Sequence, residues 1–311
     1  MPTKMQSGLS IVIPVFNSQN TLAELAQRLQ EALTRSGALF EVLLVNDGSR
    51  DSSWIQIQEL AKKYSWIKGV SLMRNYGQHN ALLCGIRQAS FDTIVTLDDD
   101  LQNPPQEISK LLTKFSEGYE VVYGVPQKQE HEFWRRLGSK ITELTLRGAM
   151  GSQVASKVTS FRVFKTDLRE AFSNYNSPFV SLDVLLTWGS TKFSTVIVQH
   201  DERHEGVSNY TLRKLVVHAF NMMTGFSVLP LQIASLVGFL STLMGVILLA
   251  IVLIGHFSAG ERIPGFPFLA SIICVFSGTQ LFALGIIGEY LARMHFRVMD
   301  RPAYAVRSTT T

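Results

Sequence analysis

Along residues 9–200, short apolar runs alternate with stretches whose apolar positions recur with a helical period. Leu9–Val15, Phe40–Val45, Ile67–Leu72, Thr93–Leu97 and Tyr119–Tyr123 have the largely apolar, β-branched character of strands covered on both faces. Between them, Leu22–Leu33 sets Leu22, Leu25, Leu29 and Leu33 on one side of a helix. Ser52–Tyr64 (with Asp51 or Ser52 as cap), Gln78–Ala89 and Pro105–Phe115 are the other predicted helices. Strand and helix in alternation at this spacing predict a doubly wound α/β sheet. In such sheets ligands gather beyond the carboxyl ends of the strands.

From Leu215 the pattern changes. No Asp, Glu, Lys or Arg occurs between Lys214 and Glu261, and Leu231–Ile254 is mostly apolar. Its 24 residues would make about 36 Å of helix, enough to cross a bilayer. After the break His256–Pro264, a second uncharged run extends from Gly265 to Gly288. The pattern predicts a two-helix transmembrane hairpin, with Gly238, Gly245, Gly278, Gly285 and Gly288 allowing close helix contact. Arg213 and Lys214 precede it, Arg293, Arg297 and Arg301 follow it, and the loop has only Arg262 opposed by Glu261. That bias places both chain ends on the cytosolic side. Tyr210–Phe226 and Phe133–Leu137 mix basic and apolar side chains in a way that suits a membrane interface. The expected organisation is a catalytic domain over 1–209, an interfacial helix or linker over 210–228, the hairpin over 229–292 and a tail over 293–311, disordered after Arg301.

The 311 residues carry a formal net charge of +4, too mild to imply a nucleic-acid partner. Cys84 and Cys274 sit in apolar surroundings and form neither a disulfide framework nor a zinc spacing. No GxGxxG follows the first strand, which disfavours an ordinary dinucleotide fold.

The unusual chemistry sits at the predicted strand ends. VTLDDDLQNPP, residues 95–105, delivers three adjacent acids at the end of an apolar run. Asp98 and Asp100, with Gln102 next in the alternation, offer hard oxygen ligands for Mg2+ or Mn2+; the same acids could instead cap the helix that starts near Pro105. Asn17 and Asp47, after the first and second strands, can hydrogen-bond a base, and Arg74 opens a polar insert able to meet an anion. Arg203 offers a bidentate clamp for phosphate and Ser208 a hydroxyl, in a loop between the α/β part and the apolar part.

Taken together, SIVIPVFN (10–17), VNDGS (45–49), RNYGQH (74–79), TLDDDLQNPP (96–105) and RHEGVSNY (203–210) resemble the family 2 glycosyltransferases of the polyprenyl-phosphate type, from about Leu9 to Arg301. The resemblance implies a GT-A fold and inverting transfer of a sugar from a nucleotide diphosphate to a polyprenyl phosphate. It gives Asp98 and Asp100 the metal and diphosphate role with Gln102 as a further ligand, and Pro14, Asn17 and Asp47 the base and ribose. Arg203 and Ser208 would meet the lipid phosphate or donor diphosphate. Arg162 would lie near sugar and acceptor, with Arg135 or Arg136 as further cations. Three positions depart from the family pattern: Asp99 stands where a small residue is usual, Ser18 where Glu is common, and Ser160 where Gly precedes Phe-Arg. A solvent-facing Asp99 is expected.

The implied donor is a UDP-sugar, with glucose favoured over 4-deoxy-4-formamido-L-arabinose or GDP-mannose, and the implied acceptor is undecaprenyl phosphate. The implied location is the bacterial inner membrane, multi-pass, with the catalytic domain and both termini cytosolic; a homo-oligomer is compatible. The rival class is a non-catalytic membrane protein that binds nucleotide sugars. A processive synthase is disfavoured because no Gln-x-x-Arg-Trp occurs.

Overall fold

The computed structural model describes residues 5–34, 37–127, 150, 152–201, 229–259 and 265–310. These fall into two compact units, divided between residues 219 and 220 and again between 299 and 300, so the chain end belongs to the first unit.

In the first unit the predicted alternation is realised. The strands are Gln6–Val15 (β1), Phe40–Asn46 (β2), Ile67–Leu72 (β3), Phe91–Thr96 (β4), Val121–Pro126 (β5), Arg162–Lys165 (β6), Phe193–Val198 (β7) and Val306–Thr309 (β8). The helices are Leu22–Thr34 (α1), Ser53–Lys63 (α2), Gln78–Gln88 (α3), Ile108–Phe115 (α4), Ser152–Ala155 (α5) and Leu182–Gly189 (α6). Short 3-10 helices, one turn at Pro105–Glu107 and about two turns at Thr166–Phe172, complete it. Pro105 is where the sequence starts a helix, and the first turn there is wound more tightly than the α-helix that follows.

Among the described residues the sheet has the order β7-β5-β6-β4-β1-β2-β3-β8. β1 lies parallel to β2 and to β4, with Ile11 opposite Val42 on one side and Val95 on the other. From Gly8 to Val15 every β1 side is buried, which is what a strand covered on both faces requires. The leucines of α1 behave as their spacing predicts: Leu22, Leu25, Leu29 and Leu33 are buried, and they join Ile11, Ile13, Val42 and Leu44 in the main core. Each such side chain contributes roughly 1.5–3 kcal/mol by leaving water. On the opposite face Ala81 and Cys84 of α3 pack on Val45, Val70 and Leu72.

The end of the chain corrects an expectation. The tail forms β8, antiparallel to β3. Without it β3 would be an edge strand with a row of unpaired backbone groups. Thr310 Oγ1 accepts from the Gly69 amide at 2.7 Å, the Arg307 guanidinium donates to the Met73 carbonyl at 2.7 Å, and Ala303 is buried.

The second unit contains two long helices, Leu229–Ala259 (α7) and Gly265–Val298 (α8). They touch, and of the five glycines that might allow it only Gly245 is closely approached: a Cβ there would lie 2.8 Å from Phe276 Cζ. The multi-pass location is corrected here. Among the described residues one helix is long and apolar enough to cross a membrane, through Leu231–Leu248 of α7. α8 is the less apolar of the two, with Ser277, Gly278, Thr279 and Gln280 at its centre and Glu289 towards its end. A two-span topology, and the placement of both termini that depended on it, is therefore not carried forward.

Candidate active site

Four parallel strands, in the order β3-β2-β1-β4, bring their carboxyl ends to one edge. The chain leaves β1 in one direction for β2 and β3 and in the other for β4, which opens a crevice at that edge. A cleft of about 300 Å³ lies there. Its walls are Pro14 and Val15 at the end of β1 and Phe16 just after it, Asp47 after β2, Asn75, Gly77 and Gln78 after β3, and Asp98, Asp99 and Asp100 after β4.

Asp47 is buried and joins three loops. Its amide donates to the Val15 carbonyl at 2.8 Å, and its carboxylate accepts from the amides of Tyr76 at 2.7 Å and Gly77 at 2.8 Å. Burial pushes its pKa up, and the two amide hydrogen bonds only partly offset this. Next to it Gly48 has φ +66°, and a Cβ would lie 2.5 Å from the backbone of Arg74 and Asn75. The VNDGS loop can therefore sit against the RNYGQH loop only with glycine at that place.

The acidic turn divides its labour. Asp98 accepts from Gln78 Nε2 at 2.7 Å through one oxygen and from the Ser160 hydroxyl through the other. Asp100 accepts from the Gln102 amide at 3.2 Å. Asp99 accepts from the Phe16 amide at 3.1 Å and from the Ser18 hydroxyl. It is half-buried at the cleft wall, and its carboxylate is engaged by another loop where a solvent-facing side chain was expected. Burial pushes its carboxyl up to about 6; the hydrogen bonds from Ser18 and Phe16 oppose this, and the charges of Asp98 and Asp100 add to it. After the turn Leu101 takes φ 63° with its side chain buried in the main core. That left-handed conformation costs about 1–3 kcal/mol and is held by the burial of the side chain.

The sequence-predicted residues divide accordingly. Pro14, Asp47, Asp98 and Asp100 meet in the cleft. Asn17, Arg74 and Gln102 are not among its lining residues. Asn17, at φ 55°, staples two loops: its amide donates to Ser49 Oγ at 3.0 Å and its Oδ1 accepts from the Arg50 amide at 2.9 Å. Arg74 is exposed, with its guanidinium 4.7 Å from the centre of the Tyr76 ring. Gln102 uses its main chain, and its carbonyl accepts from the Asp201 amide at 2.8 Å.

Arg162 is not among the residues lining the cleft. It is fully buried on β6, ion-paired with Asp183, and its guanidinium lies 5.6 Å from the Tyr123 ring centre. Its charge is spent inside the domain and does not face the cleft. Arg203, Ser208, Arg135 and Arg136 lie outside the described residues.

Two residues escaped sequence reasoning. Gln78 was inside a recognised motif without a role, and Ser160 showed only as a replaced glycine. Both donate to Asp98.

Residues 10–174 match the profile of the family described as Glycosyl transferase family 2. The undecaprenyl-phosphate 4-deoxy-4-formamido-L-arabinose transferase of Pseudomonas savastanoi pv. phaseolicola is 35% identical over 301 residues, covering 96% of this chain and 89% of its own. The protein of that name from Pectobacterium atrosepticum is 34% identical over 308 residues, covering 98% and 94%. Among solved structures, glucosyl-3-phosphoglycerate synthase from Mycobacterium tuberculosis, in complex with Mn2+, UDP-glucose and phosphoglyceric acid, superposes with a TM-score of 0.53 at 16% identity, covering 70% of this chain and 78% of that one. At that identity the likeness is one of fold.

Proposed function

The chain belongs to glycosyl transferase family 2, among its polyprenyl-phosphate sugar transferases, and from that premise we propose that it moves 4-deoxy-4-formamido-L-arabinose from UDP to undecaprenyl phosphate. The observation that carries the choice of sugar is the near end-to-end match to transferases of that name. It supports this sugar over glucose, the donor first preferred from a sequence whose motifs resemble both branches. An acceptor of this kind lies in a membrane, and α7 carries the one stretch among the described residues that is suited to cross one.

In the proposed reaction a phosphate oxygen of the acceptor bonds to the anomeric carbon while the bond from that carbon to the UDP oxygen breaks, and UDP leaves with the electron pair. The acceptor phosphate is already largely ionised near neutral pH, its second pKa being about 6, so little general-base help is needed. The chain's task is alignment and charge control.

Asp47, fixed by two amides at the cleft wall, would meet the nucleoside with its remaining lone pairs. Gln78 and Ser160 orient Asp98 from both of its oxygens. Among the described residues no three acidic, histidine or cysteine side chains form a metal cluster. An incomplete set of carboxylate oxygens fits Mg2+ or Mn2+, which take one or two carboxylates and complete their shell with substrate phosphates and water. Asp98 and Asp100 would hold the ion. It would supply Lewis-acid stabilisation of the leaving diphosphate.

The test is a donor panel with the full chain in detergent, undecaprenyl phosphate and Mn2+ or Mg2+, following label into lipid. Transfer from UDP-4-deoxy-4-formamido-L-arabinose in preference to UDP-glucose and GDP-mannose supports the proposal. Transfer from UDP-glucose alone refutes the choice of sugar.

A further inference from the structure

The segment that leads from β1 into α1 is fastened to the acidic turn through one residue. Asp99 Oδ2 accepts from the Phe16 amide at 3.1 Å and from the Ser18 hydroxyl, and the Asp99 carbonyl accepts from the Thr21 hydroxyl at 2.7 Å. All three donors lie within residues 16–21. Asp98 and Asp100 have different partners: Asp98 takes Gln78 and Ser160, and Asp100 takes the amide of Gln102. The three acids are thus not interchangeable, and the middle one reaches across to another loop.

The Ser18 hydroxyl and the Asp99 carboxylate are hydrogen-bonded to each other, a charge-assisted contact between the two segments.

We propose that Asp99 is a positioning residue for sugar transfer: its carboxylate clamps the Phe16–Thr21 segment to the acidic turn, and Ser18 is its matched partner. The clamp sets how far the wall formed by Phe16 stands from Asp98 and Asp100, the two sides between which a nucleoside diphosphate would lie. Asp99 itself needs no contact with substrate. The inference rests on the transferase reading above.

The experiment compares wild type with Asp99→Ala and Ser18→Ala, both as full chains in detergent. Three quantities are read: the affinity for UDP in the presence of Mn2+ by calorimetry, KM and kcat for the preferred donor, and the thermal midpoint. For a lost charge-assisted hydrogen bond the expected result for Asp99→Ala is about tenfold weaker UDP binding and a KM raised by about the same factor. The Asp99→Ala kcat should change by less than about threefold, and Ser18→Ala, which leaves the Phe16 amide on Asp99, should weaken UDP binding by about threefold.

Unchanged UDP affinity in Asp99→Ala overturns the proposal. So does a lowered thermal midpoint with normal KM in the folded fraction, which is the mark of a merely structural residue. UDP affinity in Ser18→Ala equal to wild type overturns the role of Ser18 as the partner of Asp99. Failure of the wild type to bind UDP with Mn2+ removes the transferase reading itself, an outcome separate from these.

Discussion

Replacing Asp183 by Ala leaves the Arg162 guanidinium buried without a counter-charge. Arg162 is 1% exposed and Asp183 is 7% exposed, so water cannot take the place of the lost carboxylate. Arg162 Nε keeps Thr96 Oγ1 at 3.2 Å and the Ser160 carbonyl at 3.4 Å, both uncharged, and the Tyr123 hydroxyl loses its acceptor at 3.1 Å. Breaking a buried pair by removing one partner typically costs about 3–5 kcal/mol. For a unit of this size each kcal/mol lowers Tm by about 2–4 °C, so a fall of about 6–20 °C is expected. Thermal unfolding of the full chain in detergent, followed by circular dichroism, measures it.

The effect should reach the cleft as well. Thr96 Oγ1 donates to the Ser160 carbonyl at 2.5 Å, and the Ser160 hydroxyl donates to Asp98. Transfer activity should therefore fall below what the unfolded fraction explains. Arg162→Met in the Asp183→Ala background removes the stranded charge, so the double variant should be less damaged than the sum of the singles. A Tm for Asp183→Ala within about 2 °C of wild type would refute the reasoning, since for a chain of this size that is less than about 1 kcal/mol. Additive losses in the double variant would refute it equally.

Three other outcomes follow from the geometry. Glu41 is buried beneath Lys68 at 2.6 Å, Ser10 at 2.7 Å and the Ser90 amide at 2.6 Å. Burial alone would raise its pKa, but the hydrogen bonds from Lys68, Ser10 and Ser90 outweigh it and hold the pKa below 4.5. A depressed acid contributes stability above its unfolded value of 4.5 and loses it as the pH falls through the folded value, so Glu41→Gln should flatten the acid limb of urea midpoint against pH. Gly48→Ala places a methyl 2.5 Å from the Arg74 and Asn75 backbone at a positive φ; it should lower stability in urea by about 1–3 kcal/mol and weaken UDP binding by loosening the amides on Asp47. Asp100→Ala should abolish the Mn2+ dependence of UDP binding in calorimetry, because it removes one of the two carboxylates that would hold the ion; Mn2+-dependent binding that persists would refute the assignment.

Much of the molecule follows from local pattern. The runs that became β1 to β4 are apolar because both faces of a central parallel strand are covered, and the α1 leucines repeat because one helix face meets that sheet. The acids after β4 and Asp47 after β2 were legible as site residues because such groups at strand ends are expensive unless a ligand or a donor answers them. The sequence by itself therefore determined the α/β core, the cleft edge and, through five ordered motifs, the family. Tertiary structure decided the rest, because it depends on partners distant along the chain. Arg162 looked like a phosphate-binding cation until Asp183, on another element, neutralised it. Asp99 looked exposed until the β1–α1 segment supplied two donors to its carboxylate from more than eighty residues away. The tail looked disordered until β3 offered an unpaired edge. A side chain's type records what it can do, and only its neighbours in space determine which of those things remains available.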